Sequence, residues 1–462
     1  MIQRHHFLFK LLLAIFLCLY LVLVVLNSTG HESGLPLLFN VTLFLSFFIA
    51  YLRINRWSSL LCFEIMAIPV AFLGLFFDDI IFPLSPEFAA LNQVGVKLSR
   101  IKSENIQMLS LFALLLGCVY GNDSPKNFLK NNLLPSSRRI SFKALSYILA
   151  SILLLVLIHD YDSGVISSWF YYSNADWMDV EERNKGLGHI TCLLLAVSCV
   201  EIIRLRDNGV NGLMSFVKQI NKLYLIQWIG VAFLLYISGN RNEMLLILLP
   251  LIVGYNTCIN KISNKFLLIG SVVGILLMAV AGMTRFESVS IGGSPMGIYS
   301  LTRDFAGLGY NTDFLIDYSD KNGHTNFQEV PVLMLSGIPY IGNIIIKTMG
   351  LKGPVPSANL CTESVYMASS GLGTSIIGDL YYTAGVFWVI IYMILFGYLM
   401  SRLYNSKKNI NIYWLIFYAY MVSNAVYYIR SSWSFPITEI EYAIIIVFVG
   451  QIICNKYDKK HI

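Results

Sequence analysis

Residues 7 to 26, close to the N-terminus, read FLFKLLLAIFLCLYLVLVVL and contain one charge, Lys10. An α-helix rises ~1.5 Å per residue, so a run of this length spans the ~30 Å hydrocarbon core of a bilayer. The run is longer than the hydrophobic region of a signal peptide, and no Ala-x-Ala cleavage site follows it. We therefore predict a membrane helix that is retained in the protein.

The whole chain has the composition of an all-α polytopic membrane protein. Of its 462 residues, 56% are hydrophobic and 13% are charged, whereas about 25% are charged in a soluble domain. Lipid satisfies no backbone hydrogen bonds, so the apolar runs must be helical. About twelve spans fit, at roughly residues 7–26, 36–52, 60–77, 106–120, 144–158, 187–203, 223–237, 244–259, 266–283, 377–400, 410–428 and 439–454. With no repeat or low-complexity linker in the sequence, we predict one membrane domain, residues 1–462.

The basic residues predict the orientation of these spans. With a cytoplasmic N-terminus, the inner segments hold most of the lysines and arginines but only three acidic residues, Asp123, Asp207 and Asp458. An excess of Lys and Arg in short cytoplasmic loops sets orientation. We expect both termini on the inner side. The same distribution explains the net charge of +6, so no nucleic-acid partner is expected.

Residues 284–376 form by far the longest predicted outer loop, and loops of this length are usually functional. Within it, residues 330–351 are apolar enough to suggest a thirteenth span. A thirteenth span would move the basic segment at Arg402 to the outer side, and the stretch contains prolines and glycines. We therefore predict a pair of short helices at the outer membrane interface.

Four arginines face the predicted outer side, at the ends of spans or in the large loop: Arg241, Arg285, Arg303 and Arg430. The planar guanidinium binds phosphate through two parallel hydrogen bonds and keeps its proton. For each arginine alone, the alternative interpretation is a solvated charge or an interface anchor. As a group they favour a site for pyrophosphate at headgroup level, with Glu243 and Asp304 beside Arg241 and Arg303.

Two further residues are candidates for proton transfer or substrate binding. Asp379 lies about one turn inside the tenth predicted span, where a carboxylate can equally compensate the helix dipole. His324 is the only histidine of the large loop and could act as a base near neutral pH. The alternative interpretation is a loop residue without a functional role. Glu64, one turn into the third span, is interpreted as a paired structural charge.

Common cofactor signatures are missing from the sequence. There is no phosphate-binding Walker loop, no dinucleotide fingerprint and no Cys/His cluster. Seven of the eight cysteines lie in or beside apolar runs, so no disulfide or metal framework is implied. We expect no cofactor.

Two stretches resemble the Wzy-type O-antigen polymerases, the oligosaccharide repeat unit polymerases of bacterial inner membranes. They are residues 238–243, SGNRNE, and residues 371–385, GLGTSIIGDLYYTAG. The layout of about a dozen helices, cytoplasmic termini and one late periplasmic loop is also similar. Two positions depart from the family pattern: Asn240 replaces the usual serine, and Asp379 stands where glutamate is frequent.

The resemblance implies a metal-independent glycosyltransferase of O-antigen, lipopolysaccharide or other polysaccharide biosynthesis. Its donor and acceptor would both be undecaprenyl-pyrophosphate-linked oligosaccharides, and its further partners would be membrane lipids, a chain-length-determinant protein and a flippase. Catalytic residues would be Arg241, Arg285, Arg303 and Asp379; substrate-binding residues would be Arg430, Glu243, Asp304 and His324. Two alternatives stay open: an O-antigen ligase, which relies on a loop histidine, and a flippase or transporter of the lipid-linked unit.

Overall fold

The computed structural model describes residues 2–29, 34–54, 59–81, 100–123, 142–164, 166, 177–238, 241–274, 308–338, 341–365, 374–406 and 410–458. This part of the chain is α-helical and contains no β-strand. Arg285, Arg303 and Asp304 lie outside it. Arg241 is described for its backbone only.

The N-terminal part of the chain forms ten helices within the described ranges. They are α1 (Ile2–Ser28), α2 (Leu37–Ile54), α3 (Phe63–Ile81), α4 (Arg100–Asp123), α5 (Phe142–Asp162), α6 (Trp177–Asp207), α7 (Leu213–Gln219), α8 (Lys222–Ile237), α9 (Arg241–Gly254) and α10 (Asn264–Gly274). One π-helical turn, Tyr255–Ile259, continues α9. Asn221 caps α8, because its side-chain oxygen accepts the backbone N–H of Leu223 at 3.1 Å.

The C-terminal part adds seven helices in the described residues. They are α11 (Leu308–Asn322), α12 (Val330–Ser336), α13 (Ile341–Met349), α14 (Ser357–Val365), α15 (Ile376–Ser406), α16 (Ile412–Ser423) and α17 (Phe435–Asp458). Helices α12 and α13 pack on each other, and Gly342 lies against the carbonyl of Leu335. The apolar segment 330–351 is thus a pair of short helices, and its location at a membrane interface stays a prediction.

Six helices of the described chain are long and apolar enough to cross a membrane: His6–Ser28, Ile101–Asn122, Phe142–Asp162, Gly188–Asp207, Ile376–Ser406 and Pro436–Cys454. Helices α7 and α8 meet at 103° and would add a seventh span if they count as one. Shorter apolar helices of 10–17 residues occupy five other predicted spans. The all-α membrane class is confirmed, while twelve spans, their orientation and the periplasmic side of the loop stay predictions.

Helices α4 and α15 cross at backbone contact, and three glycines make this crossing possible. A Cβ added to Gly117 would lie 2.1 Å from the carbonyl oxygen of Ile394, and one on Gly121 would lie 2.5 Å from that of Tyr398. From the other side, a Cβ on Gly397 would lie 2.4 Å from the carbonyl oxygen of Leu114. Small residues four apart are the usual device for close helix packing in membranes, where lipid removes the hydrophobic driving force.

Two stretches of the C-terminal helices depart from α-helical geometry. Helix α15 breaks at Ala384 and Gly385, and Gly385 has φ of 75°, which is readily adopted only by glycine. Helix α16 has 12 residues, a length of ~18 Å, and then gives way to turns and one 3-10 turn, Tyr428–Arg430. Irregular backbone at membrane depth is tolerated where protein buries it, and much of residues 424–434 is buried.

We expect Gly117→Ala to destabilise the protein by about 1–3 kcal/mol, because the new methyl group forces the backbones of α4 and α15 apart. Gly230→Ala is the matched control, since a Cβ at Gly230 on α8 meets nothing within 4 Å. The measurement is the melting temperature of the purified protein in detergent. Equal melting temperatures for the two variants would contradict the close crossing.

Candidate functional site at the start of helix α15

Asp379 lies in the first turn of α15 and is buried, with 6% of its surface exposed. Its Oδ2 atom accepts two hydrogen bonds, from the Ser432 hydroxyl at 2.7 Å and from the Trp433 backbone N–H at 2.9 Å. The Ser357 side chain also faces the carboxylate. Such donors partly offset the free-energy cost of burying a carboxylate. Asp379 therefore anchors the segment after Arg430 to the start of α15.

The sequence around Arg430 explains why this segment is irregular. Residues 431–434 read Ser-Ser-Trp-Ser, and serine side chains compete for backbone groups and favour turns over helix. The Ser432 hydroxyl accepts the backbone N–H of Ser434 at 3.3 Å. Arg430 itself is half-buried, and its carbonyl oxygen accepts the Thr374 N–H at 3.3 Å. The Arg430 backbone thus lies beside the start of α15, two residues before the Ser432 that binds Asp379.

A second carboxylate, Glu329, lies beside Asp379 and interacts with it electrostatically. One of its oxygens is 3.0 Å from the Thr383 hydroxyl, and the other accepts the Thr325 hydroxyl at 2.9 Å. The indole N–H of Trp433 donates to the Thr383 hydroxyl at 2.9 Å. Thr383 and Trp433 therefore link the two acidic residues in a single hydrogen-bonded group.

The helix break at Gly385 is closed by the segment that follows α11. The backbone N–H groups of Thr325 and Asn326 donate to the carbonyls of Tyr382 and Thr383, at 3.0 and 2.8 Å. Carbonyls of a broken helix need such partners, since an unsatisfied backbone group in an apolar setting is expensive. The loop is therefore hydrogen-bonded into α15 itself.

His324 packs directly against the broken helix. Its ring contacts the ring of Tyr381 edge-on, with centroids 5.3 Å apart. A Cβ at Gly385 would lie 3.2 Å from its Nε2 atom, so glycine also leaves room for the imidazole. The Nδ1 atom is buried and has no hydrogen-bond partner in the described part of the chain. His324 is thus adjacent to the Asp379 site and retains an unused ring nitrogen.

A buried lysine joins the loop to the glycine-packed helix pair. Lys102 on α4 forms an ion pair with Asp320 on α11, and the Tyr381 hydroxyl donates to the other oxygen of Asp320 at 2.7 Å. The ammonium of Lys102 also lies 5.4 Å from the centroid of the Tyr381 ring. These contacts fix α11 against both α4 and α15 beside the candidate site.

Of the predicted site residues, the described structure places Asp379, the backbone of Arg430 and the ring of His324 along the N-terminal part of α15. Glu243 belongs to another group, because it interacts with Glu439 and Tyr420, and the Tyr420 hydroxyl donates to Glu439. Arg285, Arg303 and Asp304 lie outside the described residues, as does the side chain of Arg241. The grouping of the four arginines stays a prediction.

Several site residues were not found by sequence reasoning: Lys102, Ser357, Tyr381, Thr383, Ser432 and Trp433. Their partners are distant in the chain; Ser432, for example, reaches Asp379 across 53 residues. One usable signal was the polar Ser-Ser-Trp-Ser stretch directly after Arg430 in an apolar region. Such a stretch at the end of a short span indicates a broken helix.

Cys361 on α14 lies close enough to Asp379 to interact with it electrostatically. Burial, followed by the negative charge of Asp379, raises the pKa of its thiol to about 12. The thiolate is the nucleophilic form, so Cys361 stays protonated and inert near neutral pH. The chemistry available to the described site is that of carboxylates, hydroxyls and an imidazole. Among the described residues, no three His, Cys, Asp or Glu side chains are placed to hold a metal.

Comparisons with family models, curated proteins and solved structures give no match for this chain. The class of protein is therefore defined by the fold and the site, without support from relatives. The protein is an all-helical membrane protein with a buried acidic site at the start of α15, closed by the segment that contains α11.

We expect Asp379→Ala to destabilise the protein, because it leaves the Trp433 N–H and the Ser432 hydroxyl without their acceptor. An unsatisfied buried donor costs about 1–3 kcal/mol. Asp317→Ala is the control; Asp317 is a half-exposed carboxylate on α11 that pairs with Lys321 at 2.6 Å, and loss of such a pair costs about 0.5 kcal/mol. Melting temperatures in detergent measure the difference, and an Asp379→Ala variant as stable as Asp317→Ala would show that the anchor is unimportant.

Proposed function

We propose that this protein is an O-antigen or polysaccharide repeat-unit polymerase of a bacterial inner membrane, with both termini cytoplasmic. It transfers the growing glycan from undecaprenyl pyrophosphate to a new lipid-linked repeat unit at the periplasmic face. The observation that carries the proposal is the Asp379 site: a buried carboxylate joined to the Arg430 segment and covered by α11 of the large loop. The resemblance of residues 238–243 and 371–385 to Wzy-type polymerases supports it.

The reaction breaks the bond between the anomeric carbon of the donor glycan and its pyrophosphate. A hydroxyl of the acceptor sugar forms the new glycosidic bond and loses a proton to a base, while undecaprenyl pyrophosphate leaves. Arg241, Arg285, Arg303 and Arg430 are proposed to bind this pyrophosphate and stabilise the charge that develops on it. Because both substrates are held in the same membrane, the main contribution of the site is to orient donor and acceptor towards each other. The guanidinium groups take the place of a metal.

Asp379 acts in this scheme as a positioning residue. Its Oδ2 atom already accepts two donors from the Arg430 segment, so its first effect is to hold Arg430 in place. Asp379→Asn keeps an oxygen acceptor for both donors and is expected to retain much of the polymer length, whereas Asp379→Ala is expected to lose it. The readout is the ladder of polysaccharide lengths on a gel. An equal loss of polymer length in both variants would show that the reaction needs the negative charge of the carboxylate. That result would contradict the positioning role.

The arginines are tested by single substitutions in a deletion strain complemented with the gene. Arg241→Ala and Arg430→Ala are each expected to reduce chain extension at least about tenfold, the effect of losing ~1.4 kcal/mol of transition-state binding. Arg53→Ala is the matched control, because Arg53 is exposed at the opposite end of α2 from the predicted outer side. Protein level in the membrane is measured alongside. A full ladder in Arg241→Ala or Arg430→Ala with normal protein level would refute the assignment of that arginine.

The metal-independent mechanism has a direct test on purified protein with lipid-linked substrate. We expect chain extension to be unchanged after treatment with EDTA. Loss of polymer that a single divalent ion restores would overturn this part of the proposal.

An O-antigen ligase is the second candidate, and the position of His324 favours it. The imidazole lies beside the Asp379 site and leaves Nδ1 without a partner among the described residues. The deletion strain distinguishes the candidates by its surface polysaccharide. A lipopolysaccharide capped with one repeat unit indicates a polymerase, complete loss of capping a ligase, and repeat units retained on the cytoplasmic face a flippase or transporter.

If the deletion strain indicates a polymerase, the proposed partner is tested by co-expressing a chain-length-determinant protein. The polysaccharide chain length is then expected to depend on that protein. The proposed lipid-linked substrates and the upstream flippase follow from the same reaction, because the repeat unit must reach the outer face before it is extended.

A further inference from the structure

Another buried carboxylate, Glu64, lies in the opposite half of the helix bundle from the loop. It is on the first turn of α3, 3% exposed, and faces the end of α15 where Ser401 lies. The proposed reaction at Asp379 makes no use of it. Sequence reasoning interpreted Glu64 as a paired structural charge, and that interpretation is wrong: no lysine, arginine or histidine of the described residues forms an ion pair with it.

The two oxygens of Glu64 have different surroundings. Oε1 accepts two long hydrogen bonds, from the Tyr51 hydroxyl and from the Ser401 hydroxyl, each at 3.4 Å. Oε2 is buried and has no hydrogen-bond partner in the described chain. An ionised carboxylate with one bare oxygen in an apolar bundle is far more costly than a neutral carboxyl group. A proton on Oε2 removes that charge and leaves Oε1 as the acceptor that the structure shows.

The groups that face Glu64 would not compensate a negative charge. They are Tyr51 on α2, Cys118 on α4 and Tyr418 on α16, and the titratable groups around these three are Cys62, Tyr404 and Cys258. All of them are neutral or become negative when they titrate. The Tyr418 hydroxyl is also buried without a hydrogen-bond partner among the described residues, which leaves a second polar atom available to a water molecule near the carboxyl group.

A chain of polar side chains connects Glu64 to the ends of α4 and α15. The Asn405 amide donates to the Asn122 oxygen at 2.7 Å, the Asn122 amide donates to the Tyr51 hydroxyl at 3.0 Å, and that hydroxyl donates to Glu64. Asn122 and Asn405 are half-buried, so the chain begins near the surface. The predicted topology places this end in the cytoplasm.

From this arrangement we propose that Glu64 is a proton-binding site, reached from the ends of α4 and α15 along Asn405, Asn122 and Tyr51. The bound proton comes from solvent, and the folded protein retains it on Oε2 at neutral pH. This inference is independent of the reaction at the outer face. It holds equally for a polymerase, a ligase or a transporter.

Infrared spectroscopy of the purified protein in lipid nanodiscs tests the proposal. The wild type at about pH 7 is expected to show the carbonyl band of a protonated, weakly hydrogen-bonded carboxyl group, and Glu64→Gln is expected to lose it. Glu201→Gln is the matched control, since Glu201 is fully buried but paired with Arg204 at 2.7 Å and should contribute no such band. A spectrum of Glu64→Gln identical to the wild type would overturn the proposal.

Thermal unfolding gives an independent measurement. If the folded state holds a proton that the unfolded chain has already released above about pH 4.5, stability decreases as pH rises from about 5 to about 8. The wild type should show this decrease relative to Glu64→Gln, which cannot titrate. The two proteins should respond alike if Glu64 is ionised when folded. Failure of Glu64→Gln to fold would also contradict the proposal, because glutamine has the shape and neutrality of protonated glutamate.

Discussion

Backbone contact between α4 and α15 is the constraint on which the rest of the described structure depends. Gly117, Gly121 and Gly397 let the two helices approach until each touches the carbonyls of the other. Lipid offers no hydrophobic gain for bringing helices together, so this close packing has to supply the association. Because the contact runs along both helices, it also aligns their ends. Lys102 meets Tyr381 at one end, and Asn122 meets Asn405 at the other.

Two buried carboxylates lie near opposite ends of this helix pair, and their surroundings differ. Asp379 lies where α15 starts and accepts two short hydrogen bonds, which hold the Arg430 segment. Glu64 receives only two long hydrogen bonds, and one of its oxygens is left bare. The same side-chain chemistry therefore serves as a hydrogen-bond acceptor for several donors at one end of the helix pair and as the proposed proton-binding site at the other.

The sequence predicted the class of fold because apolar runs and basic loops are local signals. Composition over a few residues was enough to predict the positions of the helices and the pair of short helices at 330–351. It also predicted that Asp379 is buried. The glycine crossing did not, since nothing local shows which helix Gly117 meets. The donors to Asp379 were missed for the same reason: Ser432 and Trp433 come from a different helix connection. Glu64 was misread because a charge in an apolar run was assumed to have a partner, and pairing depends on packing.

The hydrogen bonds from Thr325 and Asn326 to the carbonyls of Tyr382 and Thr383 have a consequence for how substrates reach the site. Swinging this segment away would strip two carbonyls of their donors in apolar surroundings, at a cost of several kcal/mol for each. The segment is thus a fixed wall and not a hinged cover. Substrates of the kind proposed above would then have to enter past this wall and not beneath a moving lid.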